Sequence, residues 1–167
     1  LEKVAASNQV KYHHYPCDLG SMNELEETIE KLKVDIASYD PSLLYLINNA
    51  AVIDPINQVS NINNRDLQYH IQLNTVVPMI LSNQMLNFTS STDTTFICVN
   101  ITSGAANRPI YGWGLYCSSK ASINMYTKTA ALEQDILKTG NKIIAFNPGI
   151  MDTSMQQTIR SSTKEAF

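Results

Sequence analysis

Several things are scarce in this 167-residue sequence, and each scarcity excludes something. There are three cysteines, Cys17, Cys98 and Cys117. Their odd number and their spacings fit neither a disulfide framework nor a zinc site. A reduced, cytoplasmic protein is therefore expected. The histidines are His13, His14 and His70. None falls in an HxxxH or HExxH pattern, so no metal site is expected. No basic stretch offers a phosphate track, and the formal net charge is −3, which argues against a nucleic-acid partner. No apolar run approaches the roughly 20 residues that a membrane span needs. No signal peptide is recognisable, although the sequence opens at Leu1 rather than Met, which leaves the natural N-terminus open. What is present is ordinary for a globular chain: 44% hydrophobic and 16% charged residues, enough for a single domain over residues 1–167 with a real core. Repeats and low-complexity segments are absent.

The hydrophobic pattern alternates between two periods. Residues 10–15 (VKYHHY) read as a strand, broken by Pro16, Cys17, Asp18, Leu19 and Gly20. Ser21-Met22-Asn23-Glu24 is a capping box, followed by Leu25, Ile29, Leu32 and Ile36 at helical spacing. Asp40-Pro41 ends that helix. The short apolar run Leu43–Ile47 suits a strand covered on both faces and leads into Asn48-Asn49-Ala50-Ala51. A helical stretch follows from about 64 to 88, a strand over 94–101, a helix from about 114 to 138 ended by Gly140, and a strand over 142–146. Strands alternating with helices at this spacing predict an α/β fold with a doubly wound parallel sheet. In such sheets ligands sit beyond the carboxyl ends of the strands. There the sequence places Asp18, Asn48-Asn49, Ser103 and Pro148-Gly149.

Three features carry chemistry. Tyr116 and Lys120 are four apart near the start of a predicted helix and share one face. A nearby ammonium lowers a phenol's pKa, so Tyr116 is a candidate proton donor to a carbonyl oxygen. Ser103 ends a strand thirteen residues earlier and can place its hydroxyl against the same oxygen. It also fits a plain Thr-Ser-Gly turn. Asn74 lies inside a long helix, four residues before Pro78. Pro78 has no N–H to give the Asn74 carbonyl, so a kink is expected there. The freed carbonyl can hold a water that relays protons to Lys120. A bent surface helix with a solvated Asn gives the same pattern.

Taken together, Asn48-Asn49-Ala50-Ala51, Asn74, Ser103, Tyr116-Cys117-Ser118-Ser119-Lys120 and Pro148-Gly149 resemble the short-chain dehydrogenase/reductase superfamily, with Ala51 where the family has Gly. The runs 99–106, 112–117 and 148–153 resemble its sepiapterin-reductase-like branch. Ile159-Arg160-Ser161-Ser162 adds a likeness to bacterial benzil reductases, which reduce an aromatic 1,2-diketone to an (S)-hydroxyketone with NADPH. The resemblance implies Tyr116 as proton donor and Lys120 as the residue that holds the nicotinamide ribose and lowers the tyrosine pKa. It implies Ser103 as the group orienting the substrate carbonyl and Asn74 as anchor of a relay water. Asp18 and Leu19 would contact adenine, and Asn49 and Ala50 would line the adenine-ribose side. Pro148, Gly149, Ile150 and Thr153 would wrap the nicotinamide and pyrophosphate. Trp113, Ile150 and Met151 would wall the substrate pocket, and Cys117 would be a buried small residue. Pairing of two copies through the helices at 64–88 and 114–138 is also implied, as is a small carbonyl compound as substrate.

Three family elements are missing, among them the basic or acidic residue after the second strand that decides NADP against NAD. No TGxxxGxG phosphate loop occurs, and the first glycine is Gly20. The family's last strand is likewise expected to lie outside the sequence, which runs to Phe167 in what would be the substrate loop. Without the helix N-terminus that receives a pyrophosphate, this stretch alone is expected to bind cofactor poorly. Two other functions fit the same fold: a non-catalytic dinucleotide-binding sensor subunit, and a reductase of fatty-acyl or steroid substrates.

Overall fold

The computed structural model describes residues 1–162. Its elements are α1 (Glu2–Ser7), α2 (Met22–Tyr39), β1 (Leu43–Asn48), α3 (Asn64–Ile71), α4 (Val77–Thr89), β2 (Thr95–Ile101), α5 (Gly114–Leu137), β3 (Lys142–Phe146) and α6 (Ser154–Ser161). The fold is α/β around a parallel sheet. Among the described residues the strand order is β1-β2-β3. Leu43 pairs with Thr95, Asn48 with Asn100, and Ile101 with Phe146. Long helical crossovers join the strands, as parallel pairing requires.

The helix boundaries follow from local chemistry. Ser21 Oγ accepts from Glu24 N–H, and Glu24 Oε2 accepts from Asp18 N–H, three residues before the Ser21 N–H that a standard capping box uses. Leu25 and Ile29 turn inward and join Val77, Met85, Phe96, Cys98, Ala130 and Ile143 in one core. These residues come from α2, α4, α5 and one face of the sheet. The other face is covered less than expected: Tyr45 is 58% exposed, Ile47 63%, Ile144 45% and Phe146 53%. The Leu43–Ile47 run is therefore covered on one side only among the described residues.

Two expectations need correction. Residues 10–15 form no strand. A strand exists through a neighbour's hydrogen bonds, and among the described residues β1 pairs only with β2. The segment instead lies along α2, where Tyr15 donates to Asp35, His13 Nε2 meets the Tyr39 hydroxyl and Lys11 sits over the Tyr39 ring. Secondly, the segment after Pro148-Gly149 is not simply a loop, because α6 forms within it. Residues 163–167 of that segment lie outside the described residues.

The long helix at 64–88 is interrupted, as Pro78 predicts. Residues Gln72–Val76 form a π-turn in which Val77 N–H reaches the carbonyl of Gln72, five residues back. Below the strand ends, a buried polar chain sets the sheet against its helices. Asn48 Nδ2 donates to Asn100 Oδ1 (2.8 Å) and to the Pro78 carbonyl (3.3 Å). Asn100 Nδ2 donates to Thr127 Oγ1 (2.9 Å), which in turn donates to the Ile123 carbonyl (2.7 Å). Each of these three donors is satisfied from within the protein, which fixes the register of the strand ends.

Candidate active site

Parallel pairing brings the carboxyl ends of β1, β2 and β3 to one edge of the sheet. A cleft of about 390 Å³ opens there. Asn49, Ala50 and Ala51 reach it from β1; Thr102 and Ser103 from β2; Pro148, Gly149, Met151 and Thr153 from β3. Trp113, Tyr116 and Lys120 enter from the start of α5. Gly149 makes the turn at φ +77°, a conformation that favours glycine, with its N–H on Asn147 Oδ1.

Ser103 caps the short 3₁₀ turn Gly104–Asn107, accepting from Ala105 N–H at 3.2 Å. Its hydroxyl also lies near enough to the phenol of Tyr116 to favour the ionised form. Tyr116 is buried, with its ring edge-on to Trp113 (centroids 5.7 Å apart) and to His70 (6.4 Å). Burial raises the phenol pKa above 10; the Ser103 hydroxyl opposes this and the nearby Cys117 thiol adds to it. Lys120 is 4% exposed. Its Nζ donates to the Ile101 carbonyl at 2.8 Å and lies 5.7 Å from the Tyr116 ring centroid. Burial lowers its pKa to about 8, which still leaves it mostly charged at neutral pH. The expected lowering of Tyr116 by Lys120 is not found. The ammonium is held at a carbonyl over the ring face, so loss of solvent prevails and Tyr116 carries its proton at neutral pH.

Asn74 does not line the cleft. It is 2% exposed, so it is not a solvated surface residue. Its Oδ1 accepts from Val52 N–H (2.8 Å), and its Nδ2 donates to the Val52 carbonyl (2.7 Å) and to His70 Nε2 (2.9 Å). Asp18, Leu19 and Ile150 also lie off the cleft lining. Asp18 Oδ1 takes the Gly20 N–H in a tight turn, Leu19 packs on the main core, and Ile150 is 92% exposed. Cys117 is only partly buried, at the edge of a second cluster formed by Ile53, Ala105 and Tyr116.

The short chain dehydrogenase family model matches residues 1–164. The chain belongs to this family. The benzil reductase ((S)-benzoin forming) of Bacillus subtilis is 41% identical over 94% of the chain and 65% of its own length. The Bacillus cereus enzyme of the same name is 32% identical over 100% and 67%. The chain thus spans about two thirds of the length of these curated relatives. A short-chain dehydrogenase from Sphingobium yanoikuyae, solved in complex with NADPH, superposes with a TM-score of 0.79 at 20% identity, over 96% of this chain and 59% of its own. That likeness shows the fold. No helix among the described residues is long and apolar enough to cross a membrane.

For this short-chain dehydrogenase the sequence reading missed one wall of the cleft. Ser154, Met155, Gln156 and Ile159 line it from α6. The signal was present: Thr153 caps this helix by accepting from Gln156 N–H, a T-x-x-Q capping box. Met155 and Ile159 then fall at i and i+4 on its inner face. His70 was missed for the opposite reason, since a lone histidine in a helical stretch carries no pattern.

Proposed function

We propose that the protein carrying this chain reduces a small carbonyl compound, an aromatic 1,2-diketone such as benzil, to an (S)-hydroxyketone with NADPH. The observation that carries this reading is the convergence of Ser103, Tyr116 and Lys120 in one cleft, with burial keeping the Tyr116 phenol protonated. The names of the two Bacillus relatives support the substrate class.

The cleft suits the nicotinamide end of a dinucleotide. Thr102 Oγ1 is buried beside it with no hydrogen-bond partner, so a polar group is available to an incoming amide or hydroxyl. The buried Lys120 ammonium has three N–H groups, one of which serves Ile101. Lys120, Asn49, Ala50, Pro148, Gly149 and Thr153 would hold the cofactor at this end, and Asp18 and Leu19 would lie toward adenine. The bound cofactor supplies a hydride. Ser103 donates a hydrogen bond to the substrate carbonyl oxygen, and Tyr116 gives up its proton to that oxygen as negative charge develops there. The Lys120 ammonium would hold the nicotinamide ribose beside the phenol, 5.7 Å from its ring centroid. Trp113, Met151, Met155 and Ile159 offer apolar walls to aromatic rings.

The test is NADPH consumption with benzil, alongside simple aldehydes, steroid ketones and activated acyl substrates. Benzil is expected to be turned over fastest. A faster acyl or steroid substrate would shift the assignment to that class.

Two copies are expected to pair through α3–α4 and α5. Met125, Leu132 and Ile136 lie along one side of α5 and are 64%, 59% and 69% exposed, an apolar stripe at helical spacing. Sedimentation is expected to show a dimer at micromolar concentration. A monomer there would remove this pairing.

A further inference from the structure

His70 lies outside the cleft and is fully buried. It is the point where three site-bearing segments meet. Its Nδ1 is 2.8 Å from the Asp54 carbonyl, in the loop that follows Asn49 and Ala50. A carbonyl only accepts, so Nδ1 carries the hydrogen. Nε2 is 2.9 Å from Asn74 Nδ2 in the π-turn and 3.3 Å from Ser119 Oγ, one residue before Lys120. The Ser119 hydroxyl gives its one hydrogen to the Tyr116 carbonyl at 3.0 Å, so it meets the unprotonated Nε2 as a packing contact, and the imidazole bears on this helix through the edge-on Tyr116 ring.

Asn74 cannot be turned over to suit a different histidine. Its Oδ1 takes the Val52 N–H and its Nδ2 gives one hydrogen to the Val52 carbonyl. Flipping the amide breaks both bonds. The second Nδ2 hydrogen therefore points at His70 Nε2, which must accept it and must be unprotonated.

We propose that His70 is a positioning residue: by accepting from Asn74 it fixes the Asn74 amide on Val52 and holds together the loop bearing Asn49 and Ala50, the π-turn, and the helix bearing Tyr116 and Lys120. The groups that bear on its charge agree in part. Burial first, and then Lys120, push its pKa below the usual 6.5, while the carbonyls of Asp54 and Leu115 and the Asp54 carboxylate favour the charged form. The Tyr116 ring meets the imidazole edge-on. The catalytic part of the inference rests on the reductase reading above; the positioning part does not.

The test compares His70→Gln, which keeps an acceptor, with His70→Met, of similar length and without a good one. The first readout is hydrogen exchange of the Val52 amide, which needs no turnover. His70→Met is expected to raise that rate about tenfold, the scale of one local hydrogen bond, and His70→Gln to stay within about threefold of the parent. The second readout is kcat and KM for the carbonyl substrate. His70→Met is expected to lose kcat by about tenfold or more with KM little changed, as small displacements of catalytic groups do, and His70→Gln to restore most of it. Equal behaviour of the two variants in exchange would overturn the proposal, because packing alone would then explain His70. Exchange that separates the variants while kcat does not overturns the link to catalysis and leaves the reductase reading intact. No turnover by the parent on any carbonyl counts against the reductase reading and leaves the exchange result to decide the positioning role. Should His70→Met not fold, the ring nitrogens of the parent decide by ¹⁵N NMR at neutral pH. Protonated Nδ1 with bare Nε2 supports the proposal, and a proton on Nε2 overturns it.

Discussion

Replacing Tyr116 with Phe is expected to lower kcat for carbonyl reduction by at least about a hundredfold, the scale of a general-acid contribution, while NADPH affinity changes little. The variant removes one oxygen and keeps the ring. The ring is what packs against Trp113 and His70 and closes the second core cluster, so the fold is retained. Ser103 remains to polarise the carbonyl, but no proton stands ready. Because burial keeps the Tyr116 pKa above 10, the parent should show no loss of donor from phenol ionisation between pH 6 and 8. A titration of activity across that range with unaltered substrate binding checks the point. The variant's kcat and dinucleotide Kd, measured together, separate a proton-transfer defect from a binding defect.

The second large effect is expected at Lys120, where activity and stability should move in opposite directions. The fall of its pKa from 10.5 to about 8 corresponds to about 3 kcal/mol of cost to the charged form in the folded state. Lys120→Met removes that cost and fills similar volume, but it leaves the Ile101 carbonyl without its 2.8 Å donor, a loss of about 1.5–3 kcal/mol for a bond to a charged group. The net expectation is a variant as stable as the parent or more stable by about 1 kcal/mol, with kcat reduced by about a hundredfold or more, the cost of removing a preplaced charge. The pH dependence has a definite sign. Between pH 8 and 10.5 the unfolded lysine binds a proton that the folded one has released, so parent stability from this residue rises with pH in that window and is flat below it. Urea midpoints of parent and variant at pH 7 and pH 10 read this directly. The parent should gain on the variant at the higher pH.

How much of this was legible beforehand depends on the kind of signal. The core strands and long helices were readable because hydrophobic period and capping chemistry are local. Ser21-x-x-Glu24 and the breaks at Asp40-Pro41 and Gly140 mark boundaries that the structure places within a few residues. The irregularity near Asn74 was readable from a single missing N–H at Pro78. The strand at 10–15 was not, because a strand is a property of two neighbours and period alone cannot supply the second. Ile150 was placed at the site by motif position, but a residue's place after a turn does not fix where its side chain points. The rest of the site was read as a set of points on strand ends and one helix face. The buried links between those points, from His70 to Asn74 and from Asn48 to Asn100, depend on tertiary approach and left no trace in spacing. Electrostatics was the least legible part, since the sign of the Tyr116 shift turned on burial rather than on the lysine four residues away.

The most direct measurement follows deuterium from the C4 position of labelled NADPH, in a single turnover with benzil. The expected product is an (S)-hydroxyketone carrying one deuterium at its carbinol carbon, formed at least about a hundredfold more slowly by Tyr116→Phe. Firm NADPH binding with no deuterium reaching benzil or any other carbonyl would contradict the reductase reading and leave a dinucleotide-binding sensor in its place.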